Sequence, residues 1–294
     1  MASLFSTCNE FNMDLRSKLG IGTVQFGLPY GISNVQGQTL PGEIEKILRL
    51  ACDMGIDLLD TASAYGNAQA LLGNTDLASF KIVSKFLPPD RDNTLGNRLK
   101  QTLRELKVKG LYGYLAHRPL SLLDNPHWWE EILEMKKTGL ISKVGFSLNR
   151  PGELDELTAM GFFPDLVQVP FNYFDQRFKE HMVRLKDHGC EIHARSVFLQ
   201  GLFFTEPDKL PSFFAEVRSR IISLQSSTKY LSGALLKYVL QNPLIDRVII
   251  GVENADQLLA NLEMLDHADD LPLPDFTVSE DILTPSNWPQ IKTT

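Results

Sequence analysis

The alternation of short apolar runs with longer segments of helical periodicity most constrains how this 294-residue chain folds. The runs are rich in Val, Ile and Leu, and their length suits β-strands. Because they are too apolar to face water on one side, the strands are predicted to be parallel and covered on both faces. The eight candidate strands are 18–25, 56–60, 80–85, 111–117, 143–147, 166–169, 191–196 and 247–250.

Segments with helical spacing lie between these runs. In segment 43–54, Ile44, Ile47, Leu48 and Ala51 recur three and four residues apart, which places them on one face of a helix. The same spacing predicts further helices at 93–106, 128–137, 153–160, 177–188, 213–224, 230–240 and 255–265. Glycines follow several of these segments, as is typical of helix ends.

Strands that alternate with helices in this way predict an α/β fold, the (β/α)8 TIM barrel, as a single domain over residues 1–294. The barrel core is expected at 18–265, and the tail 266–294 is expected to wrap over the surface or toward one barrel mouth. An open doubly wound sheet is the alternative. The loop after the first strand argues against it, because the loop contains Gly and Pro where such a sheet needs a helix.

Charge and cysteine content limit the classes of binding partner and the cellular compartment that we expect. The net charge of −7 argues against nucleic acid or an anionic membrane, because both attract basic surfaces. No apolar run approaches the roughly 18 residues of a membrane helix, and the N-terminus lacks the features of a signal peptide. Cys8, Cys52 and Cys190 are far apart and odd in number, which suits a reducing compartment. We expect a cytoplasmic protein that is a monomer or a weak homo-oligomer.

Polar side chains stand where consecutive predicted strands end. Asp60 ends the second strand with Tyr65 in the loop that follows, Lys85 ends the third, and His117 ends the fourth. Taken singly, each has an ordinary interpretation as a turn residue, a solvated lysine or a hydrogen-bonded neutral imidazole. Active sites of such barrels lie at the C-terminal ends of the strands. The four residues together therefore predict a catalytic site on one side of the mouth.

The segments around these positions resemble the aldo-keto reductase family. They are LGIGTVQFG, DLLDTASAYGNAQALLG, IVSKF and YLAHRP, and Asp60, Tyr65, Lys85 and His117 match the family's catalytic set. The resemblance continues through KVGFSLN, LVQVPFNYFD, RSVFLQGLF and VIIGVENADQLLANL, so that it covers residues 18–265. The chain is also similar to bacterial members found among surface-polysaccharide and sugar-modification genes.

The resemblance implies an oxidoreductase that reduces an aldehyde or ketone, such as a sugar-derived one, with a nicotinamide cofactor. Tyr65 is assigned as the general acid. A free phenol is a weak acid with a pKa near ~10, so a nearby ammonium has to stabilise the phenolate, and Lys85 is assigned to this role. Asp60 is expected to pair with Lys85, and His117 is expected to hydrogen-bond the substrate oxygen.

The resemblance also predicts where the cofactor lies. The chain has no G-x-G-x-x-G fingerprint, which fits a cofactor extended across the ends of barrel strands. Two departures concern the nicotinamide: Leu148 follows Ser147 where the family usually has Asn, and Arg195 replaces a stacking aromatic residue. The implied cofactor residues are Gly22, Thr23, Val24, Asp60, Ser147, Gln168, Arg195, Ser196, Phe198, Gln200, Gly201, Gly251, Val252, Gln257 and Asn261.

A third departure affects the choice of cofactor. The Lys and Arg that many family members direct at the 2′-phosphate of NADP are Gly251 and Gln257 here, with Glu253 nearby. A loss of cations and an added carboxylate both weaken a phosphate site. NADP(H) is the cofactor that the resemblance implies, and NAD(H) is the alternative.

Further predictions concern the substrate and competing functions. Tyr30 and Arg118 are expected to contact a small-molecule carbonyl substrate, and Phe203, Phe204 and Trp288 are expected to shape the pocket. No metal is expected, because a barrel hydrolase needs clustered ligands at the strand ends. A cofactor-binding regulatory or non-catalytic subunit on the same fold is the alternative to an enzyme.

Overall fold

The structure is a computed structural model that describes residues 15–289 except 33, 35 and 92. Cys8 and the two ends of the predicted domain, 1–14 and 290–294, therefore lie outside the described residues. Eight parallel strands form a closed barrel in chain order, in which β8 pairs with β1. The strands are β1 Leu19–Gly22, β2 Leu58–Asp60, β3 Lys81–Phe86, β4 Leu111–Ala116, β5 Ile141–Ser147, β6 Leu166–Pro170, β7 Glu191–Arg195 and β8 Arg247–Gly251.

The closed barrel confirms the predicted fold class, and the alternative of an open doubly wound sheet is wrong. One strand boundary also needs correction, because segment 18–25 does not continue as a strand beyond Gly22. Val24–Gly27 forms a helical turn instead, in which the Phe26 amide donates to the Thr23 carbonyl at 3.0 Å. This turn fully buries the Phe26 ring, which is why the chain leaves the strand there.

The helices follow the predicted periodicity. In the helix Pro41–Asp53, the buried residues are Ile44, Ile47, Leu48 and Ala51, the same four that the spacing places on one face. The helix between β2 and β3, α3, was not predicted because it has five residues, too few to show a period. The helices are α1 Val24–Gly27, α2 Pro41–Asp53, α3 Ala68–Leu72, α4 Leu95–Leu106, α5 Ser121–Asp124, α6 His127–Lys137, α7 Pro151–Ala159, α8 Lys179–Asp187, α9 Ala215–Ser227, α10 Leu231–Leu240, α11 Ala255–His267 and α12 Glu280–Leu283.

The barrel interior holds a small apolar layer of its own. It consists of Leu58, Val83, Leu115, Leu166 and Ile249, apart from the larger core between strands and helices. Side chains alternate along a strand, so the residue two positions later also faces inward. Those residues, at or just beyond the C-terminal ends of their strands, are Asp60, Lys85, His117, Gln168 and Gly251. The apolar layer therefore forms the floor beneath a polar mouth.

The tail packs against the segments that follow β6 and β7. Phe276 lies edge-on to Tyr173 and Phe174, with ring centroids 5.9 and 5.8 Å apart. The Trp288 ring lies 5.1 Å from that of Phe214 and belongs to the same apolar cluster. The tail thus supports loops at the C-terminal mouth. Within the described part of the chain, no helix is both long and apolar enough to span a membrane.

Candidate active site

The C-terminal ends of β2, β3 and β4 bring the predicted catalytic residues together. Asp60 and Lys85 lie on neighbouring strands, and the Lys85 ammonium is 2.6 Å from the Asp60 carboxylate. The Lys85 side chain is fully buried and that of Asp60 is 5% exposed. A buried ion pair of this kind is stable only where further hydrogen bonds satisfy both groups.

The remaining hydrogen bonds of Lys85 and Asp60 are provided within the site. Lys85 Nζ also donates to the Thr61 carbonyl at 3.1 Å and to Tyr65 Oη at 3.3 Å. The second oxygen of Asp60 accepts a hydrogen bond of 2.8 Å from Gln168 Nε2. Burial by itself lowers the pKa of Lys85, but the charge of Asp60 and the hydrogen bonds to Asp60 and Tyr65 outweigh burial and raise it. Lys85 is therefore an ammonium ion that points at the Tyr65 hydroxyl.

A tight turn before α3 holds Tyr65 in place. The Tyr65 amide donates to the Ala62 carbonyl and its carbonyl accepts from the Ala68 amide, both at 3.0 Å. A Cβ on Gly27 would lie 1.8 Å from the Tyr65 carbonyl oxygen, so only glycine allows α1 to approach this turn so closely. The helical turn that interrupts the predicted first strand thus fixes the position of the phenol.

His117 completes the set on the other side of Tyr65. The two rings meet edge to face, with centroids 5.8 Å apart and an interplanar angle of 86°. Burial, followed by the charges of Lys85, Arg195 and Arg118, lowers the pKa of His117 to about 3. The imidazole is therefore neutral at physiological pH, and its Nδ1 has no hydrogen-bond partner among the described residues. A neutral ring can donate a hydrogen bond to a substrate oxygen without adding a charge.

These residues border a cavity of about 510 Å³ at the C-terminal mouth. Its volume lies in the range of small-molecule and cofactor sites. Asp60, Tyr65 and His117 line it, whereas Lys85 lies behind Tyr65. The predicted substrate residues Tyr30 and Arg118 also line it. So do most of the predicted cofactor residues, namely Gly22, Thr23, Val24, Ser147, Gln168, Arg195, Ser196, Phe198, Gln200, Gly201, Gly251 and Gln257.

Two features of this cavity fit a dinucleotide. Gln168 donates to Asp60, but its buried Oε1 has no partner among the described residues and can accept from a carboxamide. The loop after β7 holds Ser196, Leu199, Gln200 and Gly201 at φ values of 62°, 45°, 53° and 92°. Left-handed backbone in non-glycine residues is strained, and such strain concentrates at functional sites. The residues present thus suit a nicotinamide dinucleotide that would lie across the strand ends.

The structure shows how the two unusual nicotinamide-side residues are arranged. Leu148 is fully buried in the core and Asn149 lines the cavity in its place. Arg195 donates to the Leu148 carbonyl at 2.9 Å, to Asn149 Oδ1 at 2.6 Å and to Ser196 Oγ at 3.1 Å. The guanidinium is therefore held as a fixed plane at the cavity wall.

Four residues that the sequence analysis assigns to the cofactor or the pocket do not line this cavity. Val252 is fully buried in the core because it follows Gly251 on the opposite face of β8, and it does not line the cavity. Asn261 lies on α11 and is buried away from the cavity. Phe203 and Trp288 pack in the cluster beneath the tail, although Phe204 does line the cavity. Alternation along β8 accounts for the position of Val252, and its assignment to the cofactor stays a prediction.

Several lining residues were missed. Gly31 and Leu87 come from loops after β1 and β3, and Gln25 comes from α1. Loop residues show no periodicity, so only their position just after a strand could have indicated them. Gln25 has a clearer role, because a Cβ on Gly251 would lie 2.6 Å from Gln25 Nε2. This glycine lets the Gln25 side chain cross the end of β8.

Comparisons with known proteins agree with this geometry. The model of the aldo/keto reductase family matches residues 18–272, and the chain belongs to this family. Aldo-keto reductase YhdN of Bacillus subtilis is 23% identical over 287 residues, with 84% of this chain and 85% of that protein covered. An aldo-keto reductase of Mycolicibacterium vanbaalenii is 25% identical over 183 residues, which cover 58% of this chain and only 64% of that relative.

Solved structures show the same fold. Aldo-keto reductase AKR11C1 from Bacillus halodurans, in its holo form, superposes with a TM-score of 0.68 at 20% identity and covers 87% of this chain and 88% of its own. The aldo-keto reductase PA4992 of Pseudomonas aeruginosa superposes with a TM-score of 0.62 at 23% identity. The match covers 85% of this chain and 90% of that chain. Membership of the aldo/keto reductase family supports an oxidoreductase.

Proposed function

We propose that the chain reduces a small aldehyde or ketone to an alcohol with NAD(P)H, and that Tyr65 is the general acid. The observation that carries this proposal is the position of the Lys85 ammonium, 2.6 Å from Asp60 and 3.3 Å from Tyr65 Oη. Lys85 donates to the phenol oxygen, which leaves the phenol's own proton free for a substrate. His117 stands on the cavity side of the same phenol.

Each residue has one task in this proposal. A nicotinamide cofactor, when bound, would supply the hydride that the carbonyl carbon accepts. Tyr65 gives its hydroxyl proton to the carbonyl oxygen as negative charge develops there, a contribution of about 10²- to 10⁴-fold to the rate. Lys85 stabilises the phenolate that remains, and Asp60 holds Lys85 in place. His117 is neutral, and it donates a hydrogen bond to the oxygen and orients it.

The outer part of the cavity is the proposed place for the rest of the substrate. Tyr30 lies here, 40% exposed, and its hydroxyl accepts a hydrogen bond of 2.8 Å from Gln200 Nε2. Arg118 lines the same region, and the described residues provide no carboxylate partner for it. This polar lining favours a hydroxylated substrate such as a sugar-derived aldehyde. We further propose that the protein acts in the cytoplasm, as a monomer or a weak homo-oligomer.

The test is a screen of NADPH and NADH oxidation against sugar aldehydes, ketoses and simple aldehydes. Tyr65→Phe is expected to lower kcat by about 10²- to 10⁴-fold while cofactor affinity is retained. Tyr112→Phe is the matched control, because it removes a phenol hydroxyl at the opposite end of the barrel. Near-normal turnover by Tyr65→Phe would contradict the acid assignment. Cofactor binding by the wild type without turnover of any carbonyl would favour the alternative of a non-catalytic subunit.

A further inference from the structure

The adenosine end of the cofactor is the part of the site that distinguishes NADP(H) from NAD(H). If the nicotinamide lies beside Tyr65, as the proposed function requires, an extended dinucleotide reaches three lining residues. They are Gly251 at the end of β8, Glu253 in the loop that follows and Gln257 in the first turn of α11. The N-terminus of a helix commonly binds a phosphate, because its first N–H groups lack partners within the helix. The state of those N–H groups therefore decides whether a 2′-phosphate can be bound here.

The amides of Ala255 and Gln257 at the start of α11, and that of Glu253 just before it, already have side-chain partners. The Ala255 amide donates to Glu43 Oε1 at 2.8 Å, and the Gln257 amide donates to Asn254 Oδ1 at 2.7 Å. The Glu253 amide donates to Gln257 Oε1, also at 2.7 Å. Glu43 comes from α2, so a carboxylate from a distant part of the chain occupies a position where a phosphate oxygen would bind. A 2′-phosphate would have to displace these groups.

The charges around this helix end also disfavour a phosphate. Glu43, Glu253 and Asp256 bring three carboxylates to it. Lys46 is a nearby cation, but its side chain is 70% exposed and its ammonium already lies 2.9 Å from the Glu43 carboxylate. Glu253 has no ion-pair partner among the described residues, and burial raises its pKa. An unpaired carboxylate can accept hydrogen bonds from ribose hydroxyls but repels a phosphate.

We propose that the chain prefers NAD(H) to NADP(H), with Glu253 as the specificity-determining residue that faces the adenosine ribose. This inference rests on the proposed function and concerns the cofactor of that same site. Glu253 accepts from the 2′-hydroxyl of NAD(H), and its charge opposes the 2′-phosphate of NADP(H). A preference for NAD(H) would be the opposite of the use of NADP(H) that the family resemblance implies.

The test measures dissociation constants by isothermal titration calorimetry, without any carbonyl substrate. NAD⁺ and NADP⁺ are the first pair of probes, and 5′-AMP and adenosine 2′,5′-bisphosphate are the second. The wild type is expected to bind NAD⁺ at least about tenfold more tightly than NADP⁺, because like charges brought together reduce affinity. Added salt is expected to narrow this difference, because screening weakens the repulsion.

Two substitutions test the role of Glu253. Glu253→Gln keeps a hydrogen-bonding side chain but removes the charge. It is expected to strengthen NADP⁺ binding and so to reduce the difference between the dissociation constants of NAD⁺ and NADP⁺. Glu253→Arg is expected to reverse the preference. Glu134→Gln, which neutralises an exposed carboxylate on α6, is the matched control and is expected to leave both constants unchanged.

The outcomes separate this inference from the proposed function. Equal or tighter binding of NADP⁺ by the wild type would overturn the NAD(H) preference and leave the proposed reductase intact. A preference for NAD⁺ that Glu253→Gln does not reduce would overturn the role of Glu253. Failure of the wild type to bind either dinucleotide would overturn both proposals.

Discussion

The two mouths of the barrel each carry a carboxylate, a lysine, a tyrosine and a histidine, and the cavity of about 510 Å³ lies at the C-terminal mouth. Asp60, Lys85, Tyr65 and His117 lie at the C-terminal mouth. At the N-terminal mouth, near the strand starts, Glu191 accepts hydrogen bonds from Lys143 and, at 2.6 Å, from Tyr112. His193 Nε2 lies 2.6 Å from the other oxygen of Glu191.

The difference lies in the group that occupies the centre of each cluster. At the N-terminal mouth the carboxylate is central, so tyrosine, lysine and histidine all bind Glu191 and close the barrel. At the C-terminal mouth the ammonium is central, and Tyr65 accepts a hydrogen bond from Lys85. A carboxylate, a lysine, a tyrosine and a histidine thus form a structural cluster around Glu191, here called the plug, and the proposed catalytic cluster around Lys85. None of the four residues of the plug lines the cavity.

The largest difference between the two mouths is expected when Lys85→Met is compared with Lys143→Met. Lys85→Met removes the charge that stabilises the phenolate, so kcat for carbonyl reduction is expected to fall by about 10²- to 10⁴-fold. Lys143→Met is expected to leave kcat unchanged and to lower stability, because it removes one hydrogen bond to Glu191. Steady-state kinetics of both variants provide the measurement. A similar kcat for Lys85→Met and wild type would contradict the functional difference between the two mouths.

Glu191→Gln tests the plug directly. Burial alone raises the pKa of Glu191, but hydrogen bonds from His193, Lys143 and Tyr112 outweigh burial and lower it, so the carboxylate is ionised. Loss of its charge leaves Lys143 poorly compensated and is expected to reduce the free energy of unfolding by about 3 kcal/mol. Urea denaturation measures this loss, with the exposed Glu180→Gln as the control. An unchanged urea midpoint would show that the plug does not stabilise the barrel.

The free energy of unfolding is expected to depend on pH in part because of His117. Its folded-state pKa is about 3, below the ordinary value near 6.5 of the unfolded chain. Between these values the unfolded chain binds a proton that the folded chain does not, so stability falls as pH decreases through this window. The contribution is at most about 1.4 kcal/mol per pH unit.

His117→Asn removes this proton uptake. Its free energy of unfolding is expected to decline less steeply than that of the wild type between about pH 6.5 and pH 3. Urea denaturation at a series of pH values gives both curves, and the difference between them isolates His117 from other acid-sensitive groups. Parallel curves would mean that the pKa of His117 is not lowered.

The smallest expected effect concerns two arginines at opposite mouths. Arg247 donates to Asp57 at 2.8 Å, whereas Arg118 lines the cavity and has no carboxylate partner among the described residues. Arg118→Gln is expected to raise KM for aldehydes that carry a carboxylate or phosphate by about 3- to 10-fold, with little change for neutral aldehydes. Arg247→Gln is expected to change neither KM. Equal changes for charged and neutral aldehydes would rule out an anion-binding role for Arg118.

Much of the candidate site could be read from local sequence. Alternation along a strand places a polar residue two positions after an inward apolar one, and Asp60, Lys85 and His117 all follow this rule. Tyr65 lies in a loop, so its position came from its match to the family motif. The contact of α1 with the Tyr65 turn was not predictable, because it depends on two loops that meet only in the folded barrel.

The sequence by itself determined the order of strands and helices, the closed barrel and the side chains that stand at the strand ends, because these follow from short-range periodicity and chain order. Tertiary structure alone decided which cluster opens onto a cavity and which closes the barrel. It also decided that Glu43, more than 200 residues before Ala255, occupies the start of α11. Both depend on distances between groups remote in the chain, and residue type does not encode those distances.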